Sequence, residues 1–189
     1  MVWARGDPYP RAVGDATILT ERLRLRRWTL DDAEAAQPIY GDPEVTSWLA
    51  PALSPVPDLP AMRELLQRWL DDGQRLMAPA GRWAVETLAD GRLVGGVVLL
   101  PMPPGDEDLE LGWLLSKSER GHGYATEAGK AVARWGFEHG MPELFAVSRP
   151  HNSPAIRVAT RMGMQWVGET TKYYDLLLQV YRVRPAELL

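Results

Sequence analysis

The chain has 189 residues, enough for one domain with a real core, and carries 21 Lys plus Arg against 25 Asp plus Glu for a formal net charge of −4. That balance offers no broad basic field to a nucleic acid, and the absence of cysteine excludes disulfides, thiolate catalysis and cysteine-ligated zinc. Three scattered histidines, at 122, 139 and 151, make no metal-binding pattern, and no run of about 18 apolar residues or apolar signal core is present, so the expectation is a soluble cytoplasmic protein with no metal, nucleic-acid or membrane partner.

Residues 1–16 hold Gly6, Pro8, Pro10 and Gly14 among charges and read as an irregular N-terminal extension; residues 17–189 read as a single domain. Between Thr17 and Trp28, Leu19, Leu23, Leu25 and Trp28 alternate with Glu21, Arg22, Arg24 and Arg26, which predicts one half-buried strand. Thr29 fits an N-cap, with Asp31 and Asp32 in the first turn of a helix running to about Tyr40 and stopped by Gly41-Asp42-Pro43. Glu44–Ala50 suits a short helical turn. The proline-rich run 51–60 is a connector, and Met62, Leu65, Leu66, Trp69 and Leu70 predict an amphipathic helix from about Pro60 to Asp72. These two helices and their connector read as a flap.

Three strands follow, Arg82–Leu88, Arg92–Leu100 and Leu109–Ser116, joined by the turn Ala89-Asp90-Gly91 and by a wider proline turn at 101–106, which predicts an antiparallel meander. Next comes Ser118-Glu-Arg-Gly-His-Gly-Tyr-Ala-Thr-Glu-Ala128. Gly121 and Gly123 permit close ligand approach, a helix from about Gly123 to Glu138 begins at once, and its free first-turn amides and dipole would cradle an anion beside Arg120. The bland alternative is a polar loop before a helix. After a strand at Glu143–Ser148, Ser153 caps a helix that has Pro154 in its first turn and Gly163 beyond its end, and two strands, Met164–Thr170 and Tyr173–Val183, close the chain. This order predicts an α/β (α+β) domain whose mixed sheet contains a crossover helix, with the glycine loop at the carboxyl ends of the strands, where ligands of such sheets bind.

Arg120-Gly121-His122-Gly123-Tyr124-Ala125 resembles the phosphate loop of the GNAT superfamily of acetyl-CoA-dependent N-acyltransferases, Arg/Gln-x-x-Gly-x-Gly/Ala. Leu-Glu-Leu-Gly-Trp-Leu at 109–114, Gly-Tyr-Ala-Thr-Glu-Ala at 123–128, Asn152-Ser153-x-Ala155 and Arg161-Met-Gly-Met164 are similar to segments of its ribosomal-protein (RimJ/RimL-like) and N-terminal-amine acetyltransferase branch. The likeness extends over about Thr17 to Val183. It implies the GNAT fold, a mixed central sheet of about seven strands with helices on both faces, and an enzyme, monomeric or homodimeric, that moves an acetyl group from acetyl-CoA to a primary amine.

By that resemblance the backbone of Arg120, Gly121, His122, Gly123, Tyr124, Ala125 and Thr126 would hold the pyrophosphate, and Leu111, Gly112, Trp113, Leu114 and Leu115 would pair with the pantetheine arm. Glu110 is the candidate base, or else a solvated strand residue that only attracts a cation. Asn152 would orient the pantetheine or a water, or shape the turn. Relatives place a proton-donating tyrosine where this chain has Ala159, so the donor is sought among Tyr173, Tyr174 and Ser153, against packed tyrosines and a capping serine as the plainer roles. The eight tryptophans either wall the acceptor cleft or fill the core. Three functions stay open: acetylation of a protein or peptide N-terminal amine, acetylation of a small aminoglycoside- or polyamine-type amine, and a catalytically silent acyl-CoA-binding module.

Overall fold

In the computed structural model, which describes residues 17–49, 53–102, 108–173 and 175–189, the leucine–arginine alternation between Thr17 and Trp28 makes two strands rather than one. β1 (Ile18–Leu19) folds back antiparallel on β2 (Leu23–Arg27), pairing Ile18 with Leu25. No glycine or proline announces this turn. Thr20 makes it: its amide donates to the Leu23 carbonyl at 2.9 Å and its hydroxyl accepts from the Leu23 amide at 2.9 Å. The expected N-terminal extension lies outside the described residues.

Thr29 opens a 3₁₀ turn at Leu30–Asp32, where the Asp32 carboxylate accepts from the Thr29 amide at 2.7 Å and from its hydroxyl at 3.1 Å; α1 (Ala33–Tyr40) follows and stops at Gly41. Asp42 then caps the one-turn α2 (Pro43–Thr46). α3 (Leu59–Gly73) starts on the Asp58 carboxylate, which accepts from the Ala61 amide, and extends one residue beyond the sequence expectation at each end.

The meander forms as expected from β3 (Gly81–Thr87), β4 (Leu93–Pro101) and β5 (Leu109–Leu115). α4 (Tyr124–Glu138) crosses over to β6 (Leu144–Ser148), parallel to β5, and α5 (Ser153–Arg161) leads to the hairpin β7 (Gln165–Thr170) and β8 (Leu178–Val183). Two expectations are corrected. The last strand begins at Leu178, not Tyr173, because residues 171–173 and 175–177 are bends and turns outside the ladder; and the cap of α5 is Asn152, whose Oδ1 accepts from the Ala155 amide at 3.3 Å, so Ser153 is the first helical residue.

The result is one mixed eight-stranded sheet, order β1-β2-β3-β4-β5-β6-β8-β7, the extra strand being β1. α4 and α5 cover one face over a core that includes Leu23, Leu25, Trp83, Val97, Leu99, Leu111, Val132, Leu144 and Met162. α1 and α3 cover part of the other through Ala36, Tyr40, Met62 and Leu66, packed on Trp28, Ala84 and Leu114. Among the described residues no helix is long and apolar enough to cross a membrane.

Beside α1, where β2 and β3 meet, a charged network replaces apolar packing. Glu86, 5% exposed, accepts from Arg24 Nε at 2.8 Å and from Arg26 Nε at 2.6 Å, and Arg26 also grips Asp32, 8% exposed, at 2.6 and 2.8 Å. Burial alone would raise both carboxyl pKa values, but the guanidinium hydrogen bonds outweigh it and hold both below the usual carboxylate range. Carboxyls whose pKa is lower folded than unfolded stabilise fully above the unfolded value, about 4, and lose that contribution as pH falls through the folded value. Glu86→Gln is therefore expected to cost about 1–3 kcal/mol at pH 7, the lower part of the range following from the half-exposed Arg24, and to flatten the loss of stability below about pH 4.5. Urea melts of both proteins at pH 7, 5 and 3.5 check this: equal pH slopes would show that the network does not carry the acid sensitivity.

Candidate active site

β5 and β6 run parallel but share a single registered pair, Glu110 opposite Phe145. Each is committed elsewhere: β5 pairs with β4 over seven residues, from Leu109 to Leu115, and β6 pairs with β8 over five, from Leu144 to Ser148. Beyond Glu110 the two strands part. The backbone groups of Leu111–Leu115 that face away from β4 have no strand to bond to, so an extended ligand can occupy the edge.

The split opens into a cleft of about 400 Å³ on the α1–α3 face. Glu110, Gly112 and Leu114 line it from β5, Ala146, Val147 and Ser148 from β6, and Asn152 and Ala155 from the turn and first residues of α5. Trp28, Tyr40, Trp48, Leu49 and Trp69 roof it, so the tryptophans divide: Trp28, Trp48 and Trp69 reach the cleft, whereas Trp83 is fully buried in the main core and Trp113 packs against that core.

At the carboxyl end of β5 the loop has the backbone that its glycines allow. Gly121 and Gly123 sit at φ +85° and +84°, in the left-handed region, and Gly123 is the N-cap of α4. A Cβ on Gly121 would meet nothing within 4 Å and one on Gly123 only Arg22 Nη2 at 3.4 Å, so the space before the loop is open. Tyr124, Ala125 and Thr126 form the first turn of α4, where amide hydrogens have no partner in the helix. This cradle fits a pyrophosphate. The His122 ring stacks on Tyr124, with centroids 5.6 Å apart, so the loop presents His122 by its backbone, and its carbonyl accepts from Arg22 Nη1 at 2.9 Å.

Arg22 was not legible as a loop residue. Its Nε donates to Glu127 at 2.7 Å and its guanidinium lies 4.9 Å over the Tyr124 ring, while the Thr20 hydroxyl donates to the same carboxylate at 2.6 Å. From the other side Glu119, 8% exposed, accepts from Arg92 Nη1 at 2.7 Å, and Lys117 pairs with Asp42 and Glu44 of the flap.

Of the candidate proton donors, the two among the described residues do not reach the cleft. Ser153 is exposed and outside its lining. Tyr173 is buried against Met102 and Leu178, and its hydroxyl donates to Asp108 at 2.9 Å; burial first, and Asp108 with it, pushes its pKa up. Tyr174 lies outside the described residues. Ala159 is in the core behind the sheet, so a tyrosine at this position would not face the cleft; Ala155, one turn earlier, does. Sequence reasoning missed Tyr40, Arg82, Ser148 and Arg149 in the lining, since none stands in a motif.

Comparison with known proteins agrees with this geometry. The acetyltransferase (GNAT) domain family matches residues 22–165, and the chain belongs to that family. It is an N-acetyltransferase by class, and the GNAT fold implies an acyl-CoA co-substrate. It is 27% identical over 158 residues, 83% of this chain and 86% of the other, to a Bacillus licheniformis protein described as an uncharacterised N-acetyltransferase, p20. A crystal structure of an acetyltransferase from Agrobacterium tumefaciens is 26% identical, with TM-score 0.73 over 96% of this chain and 99% of that one. The fold is shared with the ribosomal-protein-S5-alanine acetyltransferase of Vibrio fischeri, at 16% identity and TM-score 0.72 over 93% of this chain and 100% of that one.

Alanine at 123 would have to adopt φ near +84°, at a cost of about 1–2 kcal/mol. Gly123→Ala is expected to weaken acetyl-CoA binding about tenfold or more by calorimetry, with only a small change in the urea midpoint. Unchanged affinity would place the phosphates elsewhere.

Proposed function

We propose that the protein transfers the acetyl group of acetyl-CoA to the N-terminal α-amine of a protein or peptide, as the ribosomal-protein branch does, by direct attack in a ternary complex. The observation that carries this reading is Glu110 at the vertex of the β5–β6 split, one residue before the free edge and on the lining of the cleft. In this reading Arg120 to Thr126 hold the pyrophosphate, and Leu111 to Leu115 offer the pantetheine arm a strand edge to pair with. Asn152, fixed by its capping bond to Ala155, borders the cleft near that arm.

The chemistry needs an amine without its proton. Glu110 takes that proton, directly or through a water; the nitrogen lone pair attacks the thioester carbon and the C–N bond forms, the nitrogen then gives up its second proton to water, and collapse of the tetrahedral oxyanion breaks the C–S bond to leave a neutral amide. The thiolate is then protonated. With Tyr173 bonded to Asp108 and Ser153 turned outward, neither of these two supplies that proton, and solvent reaching the open cleft is the donor this reading uses. Positioning of amine and thioester supplies most of the rate.

Free-thiol release with acetyl-CoA and panels of peptides and small amines tests the whole reading. Turnover of peptides supports it, turnover of small amines alone moves the acceptor class, and tight acetyl-CoA binding without any turnover makes the protein a binding module. Glu110→Gln is expected to lower kcat about 100-fold with less than about a threefold change in KM for acetyl-CoA. Undiminished kcat across pH 6–9 would remove Glu110 from proton transfer.

A further inference from the structure

Glu110 marks one end of the cleft, and the other end has a different chemistry. There Arg82 rises from β3, two strands from β5, in register with Val98 of β4, which is in turn opposite Gly112. Its guanidinium borders both the main cleft and a small pocket of about 40 Å³ beneath Trp28, Trp69 and Leu70. Nη1 is buried and has no hydrogen-bond partner among the described residues. A buried unpaired guanidinium donor costs stability unless something occupies it.

A second donor is aimed at the same place. The Tyr40 hydroxyl stands 2.5 Å from where a Cβ on Gly96 would be, so it rests directly on β4, and the glycine is what admits it. The Tyr40 ring is held edge-on by Trp28 and Trp69, at centroid distances of 5.8 and 5.2 Å. Tyr40, like Arg82, lines the cleft, and the Arg82 charge is felt at its phenol. Burial pushes the phenol pKa far up, so it remains a neutral donor, and Arg82, though its own pKa is lowered by burial, keeps its charge as an arginine. Asp72 is the carboxylate whose charge Arg82 senses, yet the two form no ion pair within 4 Å.

A fixed cation with a free N–H, a neutral O–H beside it, and aromatic walls around both are what a carboxylate needs when it leaves water. We infer that the Arg82–Tyr40 end of the cleft is a carboxylate subsite, so that the acceptor carries an acid group as well as its amine. The inference rests on the acetyltransfer reading for the amine end only. The carboxylate comes either from a free amino acid or from an acidic side chain near the start of a peptide, and both would span from Arg82 toward Glu110 along the cleft.

Two series separate these sources: ω-amino acids of increasing chain length against their carboxamides, and peptides with Asp or Glu at the second position against Asn or Gln. Wild type should favour the acid over the matched amide by about tenfold or more in kcat/KM in one series, as a charged hydrogen bond of ordinary strength predicts. Arg82→Gln and, more weakly, Tyr40→Phe should bring that ratio toward one without raising KM for acetyl-CoA. Calorimetric titration of the same acids and amides into the protein with coenzyme A present reads binding without turnover, so a failure of acetyl transfer and a failure of the subsite are distinguishable. No acid preference in wild type, or an equal loss for acid and amide in Arg82→Gln, overturns the inference.

Discussion

Two neighbouring parallel strands that cannot stay together govern this molecule. β5 belongs to the antiparallel meander and β6 to the C-terminal hairpin, and each block twists about its own ladder, seven pairs on one side and five on the other. They meet at Glu110 and Phe145 alone. The divergence leaves backbone donors and acceptors of Leu111–Leu115 without a strand partner, which costs little because the edge borders an open cleft where water or an extended ligand can pair with it. The same geometry delivers the carboxylate of Glu110 to the point where the wedge begins. Separation of the two blocks thus creates the binding edge, the cavity and the placement of the acid together.

The glycine loop at the far end of β5 depends on that strand and on three clamps. Arg92 on Glu119 anchors its start to the β3–β4 hairpin, Lys117 ties it to Asp42 and Glu44 of the flap, and Arg22 with Thr20 holds Glu127 in the first helical turn. The last clamp resolves an electrostatic conflict. A carboxylate four residues after the N-cap suits the helix dipole but opposes a phosphate arriving at the same amides. Arg22 neutralises Glu127 while its Nη1 fixes the His122 carbonyl, so the loop gains rigidity and the local charge stays favourable to an anion.

Elements whose signal is local were legible in the sequence. The meander, the crossover helix and the loop followed from alternation, turn residues and paired glycines. Interactions that join distant segments were not. Thr20 gives no turn signal of its own, because its partners are Leu23 and, more than a hundred residues away, Glu127, so one strand was expected where two form. Tyr173 stood near the end of a strand in sequence, but Asp108 captures its hydroxyl. The resemblance points to Ala159 as the place of a proton donor, and the turn of α5 puts that position in the core while Ala155 faces the cleft. Tyr40 and Arg82 lie in segments that read only as helix and strand, and the fold brings both to the cleft, Tyr40 because Gly96 leaves room for its hydroxyl.

The two faces of the sheet divide the physical work. Behind it, α4 and α5 seal a continuous apolar core from Leu23 to Val183, and side chains approach so closely that a Cβ on Gly129 would stand 2.4 Å from the Met162 sulfur. That face supplies cohesion. In front, α1 and α3 cover only the β3–β4 side, and the edge of that cover is a cluster of Trp28, Tyr40 and Trp69 rather than aliphatic packing. Aromatic rings suit a margin between core and cleft because each can bury its body while presenting an edge or a hydroxyl to whatever enters. The flap can therefore contribute to the core through Met62 and Leu66 and still form the wall of the cleft through Trp69, one turn further along the same helix. Substitutions that reshape this wall need not disturb the apolar core behind the sheet, so the aromatic end of the cleft can vary while β5, its loop and α4 stay fixed.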